Sequence, residues 1–221
     1  SGDGSKTVYY EVKDNAGNVF QTTDTIDYDG TDPSASVTIN DGDSHTNSTS
    51  VTLGLTYSDE SAGLDQVRYS NDGSNWDPWE SASASKAWTL SSGDGSKTVY
   101  YEVKDNAGNV QQVTDTITLD TTAPRIGASP DSNELGPSNS YIITSNSVTL
   151  EITDETTEPH YYRYAWTSDT DTPTSEEWGA WTSIDALSAV QTSTSGSWYL
   201  HIQANDTLGN RDYRYFGPYE V

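Results

Sequence analysis

The chain has 221 residues, no cysteine, and a formal net charge of −24 from 34 acidic against 10 basic side chains. That field repels phosphate backbones and anionic lipid, which sets nucleic acid aside as a partner; the missing thiols exclude thiolate catalysis, disulfide staples and cysteine-held zinc. Only 32% of the residues are hydrophobic, yet 15 Tyr and 7 Trp are too many for a disordered acidic tail, so thin-cored β-domains fit the balance better.

The chain opens on SGDGSKTVYYEVKDNAGNV, and the same letters return at 92–110. Residues 1–33 match 92–124 throughout, except at Phe20/Gln111, Thr22/Val113, Asp27/Thr118, Tyr28/Leu119, Gly30/Thr121 and Asp32/Ala123. A period of 91 residues suits one small β-sandwich per repeat. Between the copies, apolar residues alternate with polar ones, the period of a half-buried strand. In order, the expected strands are A (36–40, with Val37 and Ile39), B (50–57, with Val51, Leu53 and Leu55) and C (66–70, with Val67 and Tyr69). A Trp-bearing crossover (76–80) then leads to E (86–90, with Trp88 and Leu90). Next come F (98–104, with Val99, Tyr101 and Val103) and G (113–119, with Ile117 and Leu119). Gly108, in the tip Asp105–Asn109, is expected to take a positive φ and close an F–G hairpin.

The last segment replays this plan in other letters. Val148, Leu150 and Ile152 stand like strand B, and Tyr162, Tyr164 and Trp166 like strand C. Leu200, Ile202 and Ala204 stand like strand F, ending in the tip Asp206–Asn210. RDYRYFGPYEV supplies the final strand. No apolar run approaches the roughly 18 residues of a membrane span, and no signal peptide is visible, so any targeting segment lies outside this piece. The expected fold is all-β: tandem immunoglobulin-like β-sandwiches at 33–122 and 123–221. They are preceded by a partial repeat at 1–32 that holds only the last two strands, an orphan F–G hairpin.

RYSNDGSNWDPWE (68–80), KAWTLSSGDGSKTVYYEVKDNAGNV (86–110) and DTITLDTTAP (115–124) resemble the tandem immunoglobulin-like repeats of large bacterial and archaeal cell-surface proteins. AWTSDTDTPTSEEWGAW (165–181) with GSWYLHIQANDTLGN (196–210) resembles a second, related surface repeat. The resemblance implies an extracellular spacer, stalk, adhesin or appendage. It implies no ligand, because one sandwich fold hosts many functions.

Candidate chemistry is sparse. Of the three histidines, His45 falls in a polar loop, His160 opens a strand, and His201 is expected to alternate outward beside Leu200 and Ile202; none has a metal-ligand or triad spacing, so no catalytic residue is nominated. Calcium is the possible cofactor, since hard cations want oxygen ligands gathered by loops. The candidate ligands are Asp41, Asp43, Asp59, Asp65, Asp72, Asp77, Asp169 and Asp171. The alternative is that these aspartates shape turns and keep the chain soluble. Trp76 and Trp79 share their spacing with Trp178 and Trp181; such pairs can stack on sugars, or lid a thin sandwich. Asn47 and Asn205 begin N-glycosylation patterns.

The apolar face of the first hairpin, Val8, Tyr10, Val12 and Ile26, is expected to need cover, because a lone two-stranded hairpin is marginal in water. Another copy of the chain, or the rest of the same polypeptide, would supply the missing strands. The functional expectation is therefore a non-enzymatic extracellular structural module, a stalk, sheath or filament block assembling head to tail by strand complementation. The alternatives are an adhesin or glycan-binding surface module, and spacer domains of a larger secreted enzyme.

Overall fold

The computed structural model describes residues 2–129, 141–142, 147–184, 190–191 and 195–220. Parts of the third expected domain therefore lie outside the described residues. The chain forms two compact units: residues 1–44, 49–92 and 96–117, and residues 45–48, 93–95 and 118–221.

The first unit begins with a hairpin of β1 (Gly4–Lys13) and β2 (Val19–Tyr28), paired in register from Gly4↔Tyr28 to Lys13↔Val19. A sandwich follows. One sheet is β3 (Ser34–Ile39), β5 (Ser50–Ser58) and β7 (Ser85–Thr89), with β5 central. The facing sheet sets β8 (Gly95–Asp105) between β6 (Leu64–Ser70) and β9 (Val110–Leu119). These strands match the expected A, B and E to within two residues at either end and extend C, F and G by two to four residues in all. Their alternating apolar residues meet in one core: Val37, Ile39, Val51, Leu53, Leu55, Val67, Tyr69, Leu90, Val99, Tyr101, Val103 and Ile117. Tyr69 stacks on Tyr101 with ring centroids 5.4 Å apart, and both hydroxyls are buried without a hydrogen-bond partner. Burying apolar side chains at about 1.5–3 kcal/mol each is what offsets the chain entropy of so thin a sandwich.

Two features of this stretch lack a periodic signal. A 3-10 turn at Asn40–Gly42 holds Asp41 at φ 58°, and β4 (His45–Thr46) pairs in parallel with Thr118 and Leu119.

In the second unit, β10 (Arg125–Ser129), β12 (Ser147–Thr153) and β15 (Val190–Gln191) form one sheet. The other runs β11 (Tyr141–Ile142), β17 (Arg211–Glu220), β16 (Ser197–Asp206), β13 (Pro159–Thr167) and β14 (Thr182–Ser183). Val148, Leu150, Ile152, Tyr162, Leu200, Ile202, Ala204, Phe216 and Tyr219 anchor its core, with Tyr164 and Trp166 packed against it. This is the all-β, immunoglobulin-like plan read from the sequence.

One expectation fails. His201 does not point to water: it is 0% exposed. Its Nε2 lies 2.7 Å from Thr167 Oγ1 and its Nδ1 2.7 Å from the Tyr213 hydroxyl. The ring of Tyr213 lies beside it, nearly coplanar with centroids 6.0 Å apart, and Trp178 meets Tyr213 in a T-shaped contact. Both faces of β16 are therefore covered, so alternation along that strand cannot separate inside from outside.

The first hairpin contrasts with everything after it. Val8, Tyr10, Val12 and Ile26 are 64%, 61%, 45% and 68% exposed, and no strand among the described residues covers them.

Candidate metal centre

Each F–G hairpin tip is a self-closing clasp. In Asp105–Asn109, Gly108 sits at φ 98°, where a side chain would be strained. That bend turns two backbone N–H groups onto Asp105 Oδ1, Gly108 at 2.6 Å and Asn109 at 2.8 Å, while Asn109 Nδ2 donates to Oδ2 at 2.8 Å. The same clasp closes at Asp14–Asn18 and Asp206–Asn210. Burial pushes the Asp105 carboxyl up, but the bonds from Asn109, Gly108 and Ala107 outweigh it and hold it below the usual carboxylate range. At the exposed Asp14 tip, the Asn18 side chain and backbone lower the carboxyl as well.

Two of the three clasps also meet other carboxylates. In the first unit, Asp29, Asp59 and Asp105 each bring one carboxylate oxygen to within 4.8 Å of the others. In the second, Asp120, Asp154 and Asp206 do the same. The sets correspond. Asp29 and Asp120 follow β2 and β9, Asp59 and Asp154 follow β5 and β12, and Asp105 and Asp206 end β8 and β16.

The supporting bonds correspond too. Ala62 N–H donates to Asp29 Oδ2 and to Asp59 Oδ2; Thr157 donates through its hydroxyl to Asp120 and through its N–H to Asp154. Asn109 Nδ2 donates to the Asp29 carbonyl at 3.3 Å, and Asn210 Nδ2 to the Asp120 carbonyl at 3.0 Å. Asp3 holds Gly30 N–H and the Thr31 hydroxyl, as Asp94 holds the N–H and hydroxyl of Thr121 and the hydroxyl of Thr122.

Among the described residues, none of the six triad carboxylates has a Lys or Arg at ion-pair distance. Asp105, Asp120 and Asp206 are essentially buried, and Asp154 Oδ2 is a buried oxygen without a hydrogen-bond partner. Like charges gathered out of water repel unless a cation joins them. A divalent cation bound to oxygens at 2.3–2.6 Å accommodates ligand atoms this far apart, and hard carboxylate oxygen suits calcium.

Of the residues nominated from sequence, only Asp59 enters a triad. Asp65 instead pairs with Lys104 at 2.8 Å. Asp72 gathers Ser74 and Asn75 N–H and the Asn75 amide in its own turn; the Asn75 side chain, followed by those N–H groups, holds its carboxyl well below the usual range. Asp169 caps Asp171 N–H at 3.0 Å. Asp41, Asp43 and Asp77 are exposed and join no third acidic group among the described residues. The five triad members missed share a signal: an aspartate opening each D-x-x-G-N tip, one ending each G strand, and an Asp-Glu pair after each B strand.

The tryptophans form ladders with cations. The Arg68 guanidinium lies 4.7 Å from the Trp76 ring and 4.4 Å from Trp79, with Lys104 4.8 Å from Trp79. Arg163 lies 4.6 Å from Trp178 and 4.8 Å from Trp181. Beneath the first ladder, Arg68 pairs with the nearly buried Glu102 at 2.6 Å; beneath the second, Arg163 donates to the Gln203 amide. Asn47 is exposed, with its Nδ2 donating to the Leu208 carbonyl at 3.1 Å. Asn205 is half-buried, with a buried Oδ1 lacking a partner.

No family model and no curated protein matches the chain. Solved structures similar to it include the PKD1 domain of Vibrio anguillarum Epp, 19% identical, covering 42% of this chain and 100% of that one at a TM-score of 0.33. The fibronectin(III)-like modules of Clostridium thermocellum CbhA are 10% identical, covering 83% and 95%, at 0.39. A tetra-tandem repeat in the extending region of a large adhesion protein is 18% identical, covering 96% of this chain and 55% of that one, at 0.32. The fold assignment stands on the strand order and the two cores themselves.

Proposed function

We propose that the chain is a non-enzymatic structural module of an extracellular, cell-surface array, a building block of a stalk, sheath or filament, whose segments are clasped by divalent cations. The observation that carries this reading is the double occurrence of one three-aspartate arrangement, rebuilt at matching places although the surrounding sequences differ. In each, a residue ending one strand pair is held to the loop after β5 or β12 and to a hairpin tip. A cation there ties the chain's successive segments together. Calcium sites of extracellular modules bind at about 10⁻⁴–10⁻³ M, a level that an outside medium supplies. The engaged tryptophan faces support packing over sugar stacking. Assembly through the open hairpin is the other half of this reading.

A calcium-titrated melt tests the clasp. Going from chelator to millimolar calcium raises the midpoint by about 5 °C, as expected for two sites filled at up to about ten times their dissociation constant. Asp105→Asn and Asp206→Asn each remove part of that rise, and the double variant removes it all. An unchanged wild-type midpoint sinks the idea.

A further inference from the structure

The exposed β1–β2 hairpin carries an imprint of what belongs on it. Its residues recur as β8–β9, where the surroundings are present. Val99, Tyr101 and Val103 are each 0% exposed and Ile117 is 2% exposed, while their counterparts Val8, Tyr10, Val12 and Ile26 stand open. In the complete copy, β6 lies antiparallel on the β8 edge, with Tyr69 opposite Tyr101, Arg68 opposite Glu102 and Gln66 opposite Lys104. Arg68 binds Glu102, Asp65 binds Lys104, and Ile39 N–H donates to Asp115 Oδ2 at 2.8 Å. The hairpin keeps every one of the receiving groups as Glu11, Lys13 and Asp24, exposed and without those partners.

From this imprint, and resting on the assembly half of the function proposed above, we infer that the β1–β2 hairpin is the docking surface for a polypeptide segment of the type of residues 33–91. The segment lays an L-D-Q-V-R-Y-S-like strand antiparallel on the β1 edge, arginine on Glu11 and aspartate on Lys13. Charge complementarity sets the register, because slipping the strand by one residue would turn its Val and Tyr away from the apolar face. The occupant is not the folded sandwich of a second copy. Its β6 is already spent on its own β8, and releasing it would expose that core.

The test adds the isolated polypeptide 33–91, diluted from denaturant, to the full chain 1–221. The expected result is a one-to-one complex on a sizing column, with hydrogen exchange slowed at Tyr9, Glu11 and Lys13, the counterparts of Tyr100, Glu102 and Lys104. Glu11→Arg weakens capture about tenfold or more, and Arg68→Glu in the added segment restores it. The double variant Val8→Asp, Tyr10→Asp abolishes capture without moving the melting midpoint of the sandwich. Three results overturn the proposal: no complex, capture that survives the double variant and so reflects exchange into the complete sandwich, or self-association of the chain that Glu11→Arg blocks, which would make a second copy the occupant. None of these depends on calcium, so failure here and failure of the cation clasp are separate outcomes.

Discussion

Residues 1–28 and 92–119 are nearly one sequence in two situations. Both form an antiparallel hairpin of ten- to eleven-residue strands with the same clasp at its tip. In one, the alternate Val, Tyr and Val lie open; in the other they are sealed. Strand, turn and clasp are common to both copies, while burial, and with it nearly all the stabilisation, comes from strands β3, β5, β6 and β7. The hairpin is a local object and the sandwich is not.

The sharpest way to break this comparison is to cut the same side chain from each copy. Tyr101→Ala is expected to cost about 3–5 kcal/mol in urea unfolding, as for other large aromatic truncations in cores, and Tyr10→Ala less than about 0.5 kcal/mol. Equal costs would mean the first hairpin is already covered. A smaller contrast separates the two ladders. Arg68→Ala strands the nearly buried Glu102 carboxylate and should cost about 2–3 kcal/mol; Arg163→Ala leaves only the Gln203 amide and should cost about 1 kcal/mol. Lysine at either position should not restore stability, since it lacks the flat face that lies between the indoles.

The smallest effect lies in the tyrosine pair at alkaline pH. Burial, then Glu80 and Tyr57, push the Tyr69 hydroxyl up to about 12, and burial, then Tyr69 and Tyr57, push Tyr101 up as well. Unfolded tyrosine ionises near about pH 10, so above that pH the native state retains protons the unfolded chain gives up. This part of the stability is full below about pH 10 and is lost as pH rises through about 12. Because neither hydroxyl has a partner, Tyr69→Phe and Tyr101→Phe should leave the neutral-pH unfolding free energy within about 1 kcal/mol of the parent. They should also move alkaline unfolding, followed by tyrosinate absorbance, to higher pH. Earlier unfolding in the variants would show that the hydroxyls are bonded in solution.

The alternation of apolar residues is enough to place every long strand of the first sandwich, because the residues turned to its core are apolar and those between them are mostly polar, even where Arg68 and the tryptophans cover Glu102. It failed at His201, where Thr167, Tyr213 and Trp178 make a second dry layer. It was silent on β4, whose two residues are too short to show a period. The triads were hidden for a different reason. Asp29, Asp59 and Asp105 lie far apart in the chain, and each looks locally like a turn former. Asp105 is one, closing its tip through Asn109; that clear local role concealed its place beside Asp29 and Asp59. Asp65 and Asp72 looked equally good as ligands, but one is taken by a lysine and the other by its own turn.

The clasp from Asp14 to Asn18 spans five residues, so it closes by local search on the timescale of hairpin formation, about 1–10 μs, long before distant strands can meet. The turn is already set and its carboxylate already aimed when the remaining strands arrive. A late-arriving segment then has only to align, and the slow search for register is reduced to docking on a finished template.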